Sequence, residues 1–142
     1  MVAPLLPRKH STRMRLVRIV VRLIACGVAA VSLAVVAFAI VLDRIAAQAE
    51  VVDVPPAWIA PFVFAAVAAP AAVGALVLLR RPGNAVGWIL VIGALSFAVT
   101  WTGEAYARVA LKAHPESLPG GAWAALVGTV WPTLYAWRCP AW

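Results

Sequence analysis

Polar and apolar residues do not alternate along this chain; they are sorted into blocks. Four stretches hold no charged side chain: 23–42, 57–79, 85–101, and 117–137, whose apolar part starts only at Ala122. About 20 residues of helix are needed to cross a hydrocarbon core of about 30 Å, so each block is scaled to a membrane crossing. An unbroken apolar run lacks the two-residue alternation of a barrel strand, and lipid offers no partner to an open backbone, so the blocks are expected to be helices. The predicted fold is all-α, an integral membrane bundle of about four transmembrane helices at 23–42, 57–79, 85–101 and 122–137. A basic flank, 1–22, precedes a helical domain, 23–142.

The blocks differ in how strongly they are drawn into lipid. Leu, Ile, Phe and Val number eleven, ten, eight and four in order. At roughly 0.3 to 0.6 kcal/mol each, the first three insert readily. The fourth gains only about 1 to 2 kcal/mol and contains Pro132, so it is marginal without neighbours. Breakers punctuate the division: Pro55 and Pro56 before the second helix, Pro82 and Gly83 before the third, and Pro115, Pro119, Gly120 and Gly121 before the fourth. Pro70, inside the second helix, deprives the Ala66 carbonyl of its donor and predicts a kink. Glu104, Arg108 and Lys112 follow the third block at i, i+4 and i+8, acid before base, so that helix is expected to continue to about Ala113 with these three on an exposed face.

Composition agrees: 65% of the 142 residues are hydrophobic and 12% charged, too apolar for a soluble domain of this size. The formal charge of +7 matters through its placement. Arg8, Lys9, Arg13, Arg15, Arg18 and Arg22 lie in one acid-free stretch that leads into the first apolar block, the pattern of a cytoplasmic flank held against anionic headgroups. No aromatic-interleaved or groove-reading element accompanies them, so nucleic acid is not an expected partner. Arg80 and Arg81 mark the second loop, whereas the first, 43–56, has Arg44 beside Asp43, Glu50 and Asp53. The positive-inside rule therefore places both termini and the Arg80–Asn84 turn in the cytoplasm, in a multi-pass plasma-membrane protein. Ala47-Gln48-Ala49 has the form of a signal-peptidase site, but a twenty-residue apolar run interrupted by Asp43 and Arg44 before that site fits an uncleaved anchor.

Candidate chemistry is sparse. Cys26 and Cys139 are expected to be free thiols, and His10 and His114 stand too far apart to begin a metal site, so no metal or cofactor is expected. No carboxylate, lysine or histidine falls at membrane depth, where such groups mark ion paths. Ser32, Ser96 and Thr100 can satisfy themselves on their own helix backbones. Ala30, Ala34, Gly74, Gly93 and Gly128 are expected to let helices approach closely. No catalytic motif is present, and the chain is not expected to be an enzyme.

The most distinctive segment is Arg80-Arg81-Pro82-Gly83-Asn84-Ala85-Val86-Gly87-Trp88. Arg80 and Arg81 suit the cytoplasmic surface, Pro82 and Gly83 a tight turn, Asn84 a helix cap, and Trp88 the headgroup level, where Trp58, Trp101, Trp123 and Trp137 also fall near block ends. With Leu78-Leu79 before it and Ile89-Leu90 after it, the segment closely resembles a recurrent motif in the multi-pass N-terminal region of bacterial two-component sensor histidine kinases. Glu104-Ala105-Tyr106-Ala107, Leu118-Pro119-Gly120-Gly121 and Val130-Trp131-Pro132 resemble the same region, so the likeness covers about 76–132. It implies a membrane input region that passes a signal to a cytoplasmic kinase core. The expected partners are lipid, other copies of the chain in a homodimer and, in an intact relative, that core. After Pro132 the sequence departs from the family pattern, and the resemblance then implies a truncated or frame-shifted product that stops before the transmitter. A free-standing interaction subunit is the alternative function; a transporter or channel component is disfavoured by the lack of intramembrane charge.

Overall fold

The computed structural model describes residues 9–51, 54–113 and 118–136, and every regular element in them is helical. Helix α1 spans Lys9–Gln48, α2 Ala60–Arg80, α3 Ala85–Arg108 and α4 Gly121–Ala136. A single 3₁₀ turn, Ala57–Ile59, leads into α2, and a π-helical turn, Val109–Ala113, prolongs α3. The expected all-α bundle of four helices is the fold observed. Three of the four are long and apolar enough to cross a membrane: α1, α2 with its 3₁₀ turn, and α3 with its π turn. At 16 residues, or roughly 24 Å, α4 is shorter than a hydrocarbon core.

No proline interrupts 9–48, and α1 runs through both the basic flank and the apolar block as one helix of 40 residues. It ends in a Schellman turn. Glu50 takes the left-handed conformation (φ 54°), its N–H donates to Ala47 O, and Val51 N–H donates to Ala46 O, both at 3.2 Å. Pro61 lies in the first turn of α2, where a missing N–H costs nothing. The helix continues past Pro70 without a break.

The chain runs up and down, with α3 at the centre touching α1, α2 and α4, while α4 rests on α3 and its π turn. Three layers of core stack along the bundle. Ala25, Leu78 and Val91 close the end that carries the α2–α3 turn; Val36, Val63, Val67, Ala71, Ala94 and Ala98 fill the middle; Ala39, Leu42, Ala46, Ala105 and Val109 form the other end.

These core residues are small, and the large side chains point outward: Leu23 is 68% exposed, Ile89 68% and Trp123 74%. Water would penalise such a surface, whereas lipid matches it, leaving close packing of small residues to hold the helices together. Glycines set the closest approaches. A Cβ at Gly74 of α2 would lie 2.9 Å from Gly87 O of α3, and one at Gly103 of α3 would lie 3.1 Å from Gly128 N of α4. Of the small residues expected at contacts, Gly74 and Gly128 are there, Gly93 meets nothing within 4 Å, and Ala30 and Ala34 are exposed. Gly87, Gly103 and Gly121 make contacts that spacing alone did not mark.

Candidate functional site

Two polar regions cap the bundle at opposite ends. The first is the α2–α3 turn. Arg80 is the last residue of α2 and Arg81 its C-cap, whose N–H donates to Val77 O at 2.7 Å; both side chains are exposed. Pro82 and Gly83 make the turn, and Asn84 N–H returns to Arg81 O at 3.0 Å. Asn84 Oδ1 accepts from Val86 N–H at 2.9 Å, capping α3. Gly87 is buried with no room for a side chain, since a Cβ there would stand 2.8 Å from Leu78 Cγ. Trp88, half-buried, packs on the layer of Ala25, Leu78 and Val91.

The second region lies beyond Leu42 at the other end, and it was not anticipated as a unit. Asp43, one residue past the first apolar block, forms an ion pair with Arg108 at the end of α3. Trp101 Nε1–H donates to Asp43 Oδ2 at 3.3 Å, and Arg108 also reaches Glu104 Oε2 at 3.4 Å. Trp101, Glu104 and Arg108 are spaced i, i+3 and i+7 on α3; Trp101 and Arg108 reach Asp43 of α1, while Glu104 lies beside them on the side that meets Gly128 of α4. The exposed Glu104–Arg108–Lys112 face expected from sequence is realised at Lys112 and in part at Glu104, whose side chain is 36% exposed, but not at Arg108: the Arg108 and Asp43 side chains are 14% and 13% exposed. The i, i+4 spacing reports neighbours within a helix and is blind to a partner 65 residues away. The available signal was the pairing of a lone carboxylate closing one block with an aromatic and an arginine beyond the end of another.

Nearby bonds fasten the same end. Thr102 Oγ1–H is shared between Ala98 O of its own helix, at 2.8 Å, and Val35 O of α1, at 3.1 Å. Tyr106 O–H donates to Pro119 O at 2.9 Å, tying α3 to the segment before α4. Ser32 and Thr100 do bond their own helices, to Val28 O at 2.8 Å and Ser96 O at 2.9 Å. Beside the ion pair a cleft of about 60 Å³ opens between α1 and the start of α2, walled by Asp43, Arg44, Pro55, Ile59, Val63 and Trp101.

The Asp43 carboxylate is engaged by a guanidinium and an indole N–H. Chemically the cluster is an electrostatic latch between α1 and α3, with Glu104 as a second acceptor for Arg108. Cys26 is a free, exposed thiol. Among the described residues no three His, Cys, Asp or Glu side chains gather as metal ligands do. His10 lies in α1, its side chain outside the described set, and His114, Asp53, Trp137 and Cys139 lie outside the described residues. No family model, curated protein or solved structure matches the chain.

Proposed function

We propose that the chain is the membrane-embedded sensory or anchoring region of a histidine-kinase-like receptor, carrying no catalytic transmitter within its 142 residues. It resides in the plasma membrane with the α2–α3 turn and both termini in the cytoplasm. One observation carries this reading: the Arg80–Trp88 segment that resembles the kinase input region is a capped hairpin turn, and it lies at the same end of the bundle as the arginines of α1. Basic residues at one end and the Asp43–Arg108 latch at the other support a cytoplasmic and an outer face in that order. The latch is a fitting signal element, since an ion pair at the outer rim adds to the core contacts that hold α1, the helix leading to the cytoplasmic flank, against α3, and its loss would bias that packing.

The test is a chimera in which residues 1–136 replace the membrane region of a two-component kinase, reconstituted in vesicles. A sensory region makes autophosphorylation depend on the latch, so that Asp43→Asn shifts the rate. An unchanged rate for both Asp43→Asn and Arg108→Gln, in protein that inserts normally, would leave the chain an inert anchor. The alternative, an interaction subunit, draws on the exposed apolar face of α4, with Trp123 and Leu126 outermost. It is favoured if crosslinkers placed at those positions capture a distinct membrane protein.

A further inference from the structure

The stripe of α1 that faces the bundle continues beyond the bundle, and there it changes character. Within the bundle it is lined by Ala25, Ser32, Val36 and Ala39, all fully buried. Arg22, Arg18 and Arg15 stand three, seven and ten residues before Ala25, spacings that 3.6 residues per turn return to within about a quarter turn of the same stripe. All three are exposed. They overhang the end of the bundle, because Ala25 packs in one layer with Leu78, two residues before Arg80, and with Val91, near the start of α3. Arg80 and Arg81, also exposed, close α2 at the same end of the bundle.

Five exposed arginines thus stand at one end of the bundle, and none makes an ion pair among the described residues. The sequence offers no local counter-charge either: its five acids fall within 43–53 and 104–116. Gathering like charges without a counterion is unfavourable. Two further features of this end attract an anion. The N-terminus of α3 lies there, adding the positive end of a 24-residue helix, and Trp88, packed on Ala25, Leu78 and Val91, is an aromatic side chain of the kind that sits where acyl chains meet headgroups.

We propose that Arg15, Arg18 and Arg22 of α1, with Arg80 and Arg81 of the α2–α3 turn, form one site for the phosphate of an anionic phospholipid headgroup. Guanidinium groups chelate phosphate oxygens in pairs, and a lipid supplies an acyl chain to lie along the exposed Leu23 and Ile89. The site rests on the helices lying in a bilayer and is independent of the receptor reading.

The test uses the full chain in nanodiscs of phosphatidylcholine doped with labelled phosphatidylglycerol, after vesicle flotation has established that each variant inserts. Retention of phosphatidylglycerol over labelled phosphatidylcholine is expected to be about tenfold. Arg22→Gln and Arg80→Gln are each expected to lower it several-fold, about fivefold per guanidinium lost, while Arg44→Gln at the far end leaves it unchanged. Equal retention of the two lipids overturns the proposal. A loss confined to the α1 variants overturns the joint site in favour of a plain basic flank. Displacement of the lipid by millimolar inorganic phosphate with no preference for the lipid form assigns the arginines to free phosphate and overturns the lipid assignment. A chain that fails flotation refutes membrane insertion itself, which is a different result.

Discussion

Asp43 and Arg108 stand 65 residues apart in sequence and meet as an ion pair, with Trp101 donating to the carboxylate's second oxygen. The pair lies where α1 and α3 reach the same end of the bundle, and little of either side chain is exposed. Removing Arg108 leaves the Asp43 charge desolvated and without an ion-pair partner. Arg108→Met is therefore expected to destabilise the bundle by about 2 to 3 kcal/mol, at the lower part of the range for buried pairs because the site borders the membrane surface. Asp43→Leu combined with Arg108→Leu should recover most of the loss. Thermal unfolding in detergent checks both; a single variant as stable as the parent would show that the pair contributes nothing.

Gly74 and Gly93 make a matched contrast. A Cβ at Gly74 would come 2.7 Å from Val91 Cγ2 and 2.9 Å from the Gly87 carbonyl, and backbone cannot move aside cheaply; Gly93 has open space around it. Gly74→Ala should cost about 1 to 3 kcal/mol by forcing α2 away from α3. Gly93→Ala should be neutral or stabilise by up to about 1 kcal/mol through helix propensity. Equal effects in the same melting assay would contradict the close approach.

Helix α4 depends on its neighbour. A Cβ at Gly128 would stand 2.6 Å from Glu104 Cγ and 3.0 Å from Glu104 N, so Gly128→Ala should lift α4 from α3. Because α4 has few strongly lipophilic residues, its amides are expected to exchange with deuterium about tenfold faster in this variant, with α1 and α2 unaffected. Unchanged exchange in α4 would mean that it holds by another contact.

Glu50 occupies a left-handed position (φ 54°) that closes the Schellman turn of α1. A side chain there costs about 1 kcal/mol relative to glycine, so Glu50→Gly should raise stability by about that amount. A fall in melting temperature would show that the carboxylate has a role that outweighs the strain.

The fold class was legible because hydropathy blocks of membrane length have few structural solutions, and Pro82-Gly83-Asn84 states its turn in residue types whose dihedral and capping preferences are local. What sequence hid was the relation between helices. Glu104, Arg108 and Lys112 looked like a solvated face because helical spacing says which residues share a stripe, but not which neighbour the stripe meets. Ala30 and Ala34 were as eligible for a contact as Gly74, yet the rotation of α1 leaves them outward. Trp101 fits an aromatic belt by position, while its indole N–H is spent on Asp43. The length of α1 was hidden for another reason: the charged residues that end an apolar block do not end a helix.

The most direct measurement is the accessibility of the two bundle ends across the membrane of intact cells. In a background of Cys26→Ala and Cys139→Ser, single Glu50→Cys and Gly83→Cys variants are treated with a membrane-impermeant maleimide. If α1, α2 and α3 span the bilayer with the latch outside, as proposed, Glu50→Cys labels at once and Gly83→Cys labels only after permeabilisation. Labelling of Gly83→Cys in intact cells, with Glu50→Cys protected or equally reactive, would contradict the arrangement.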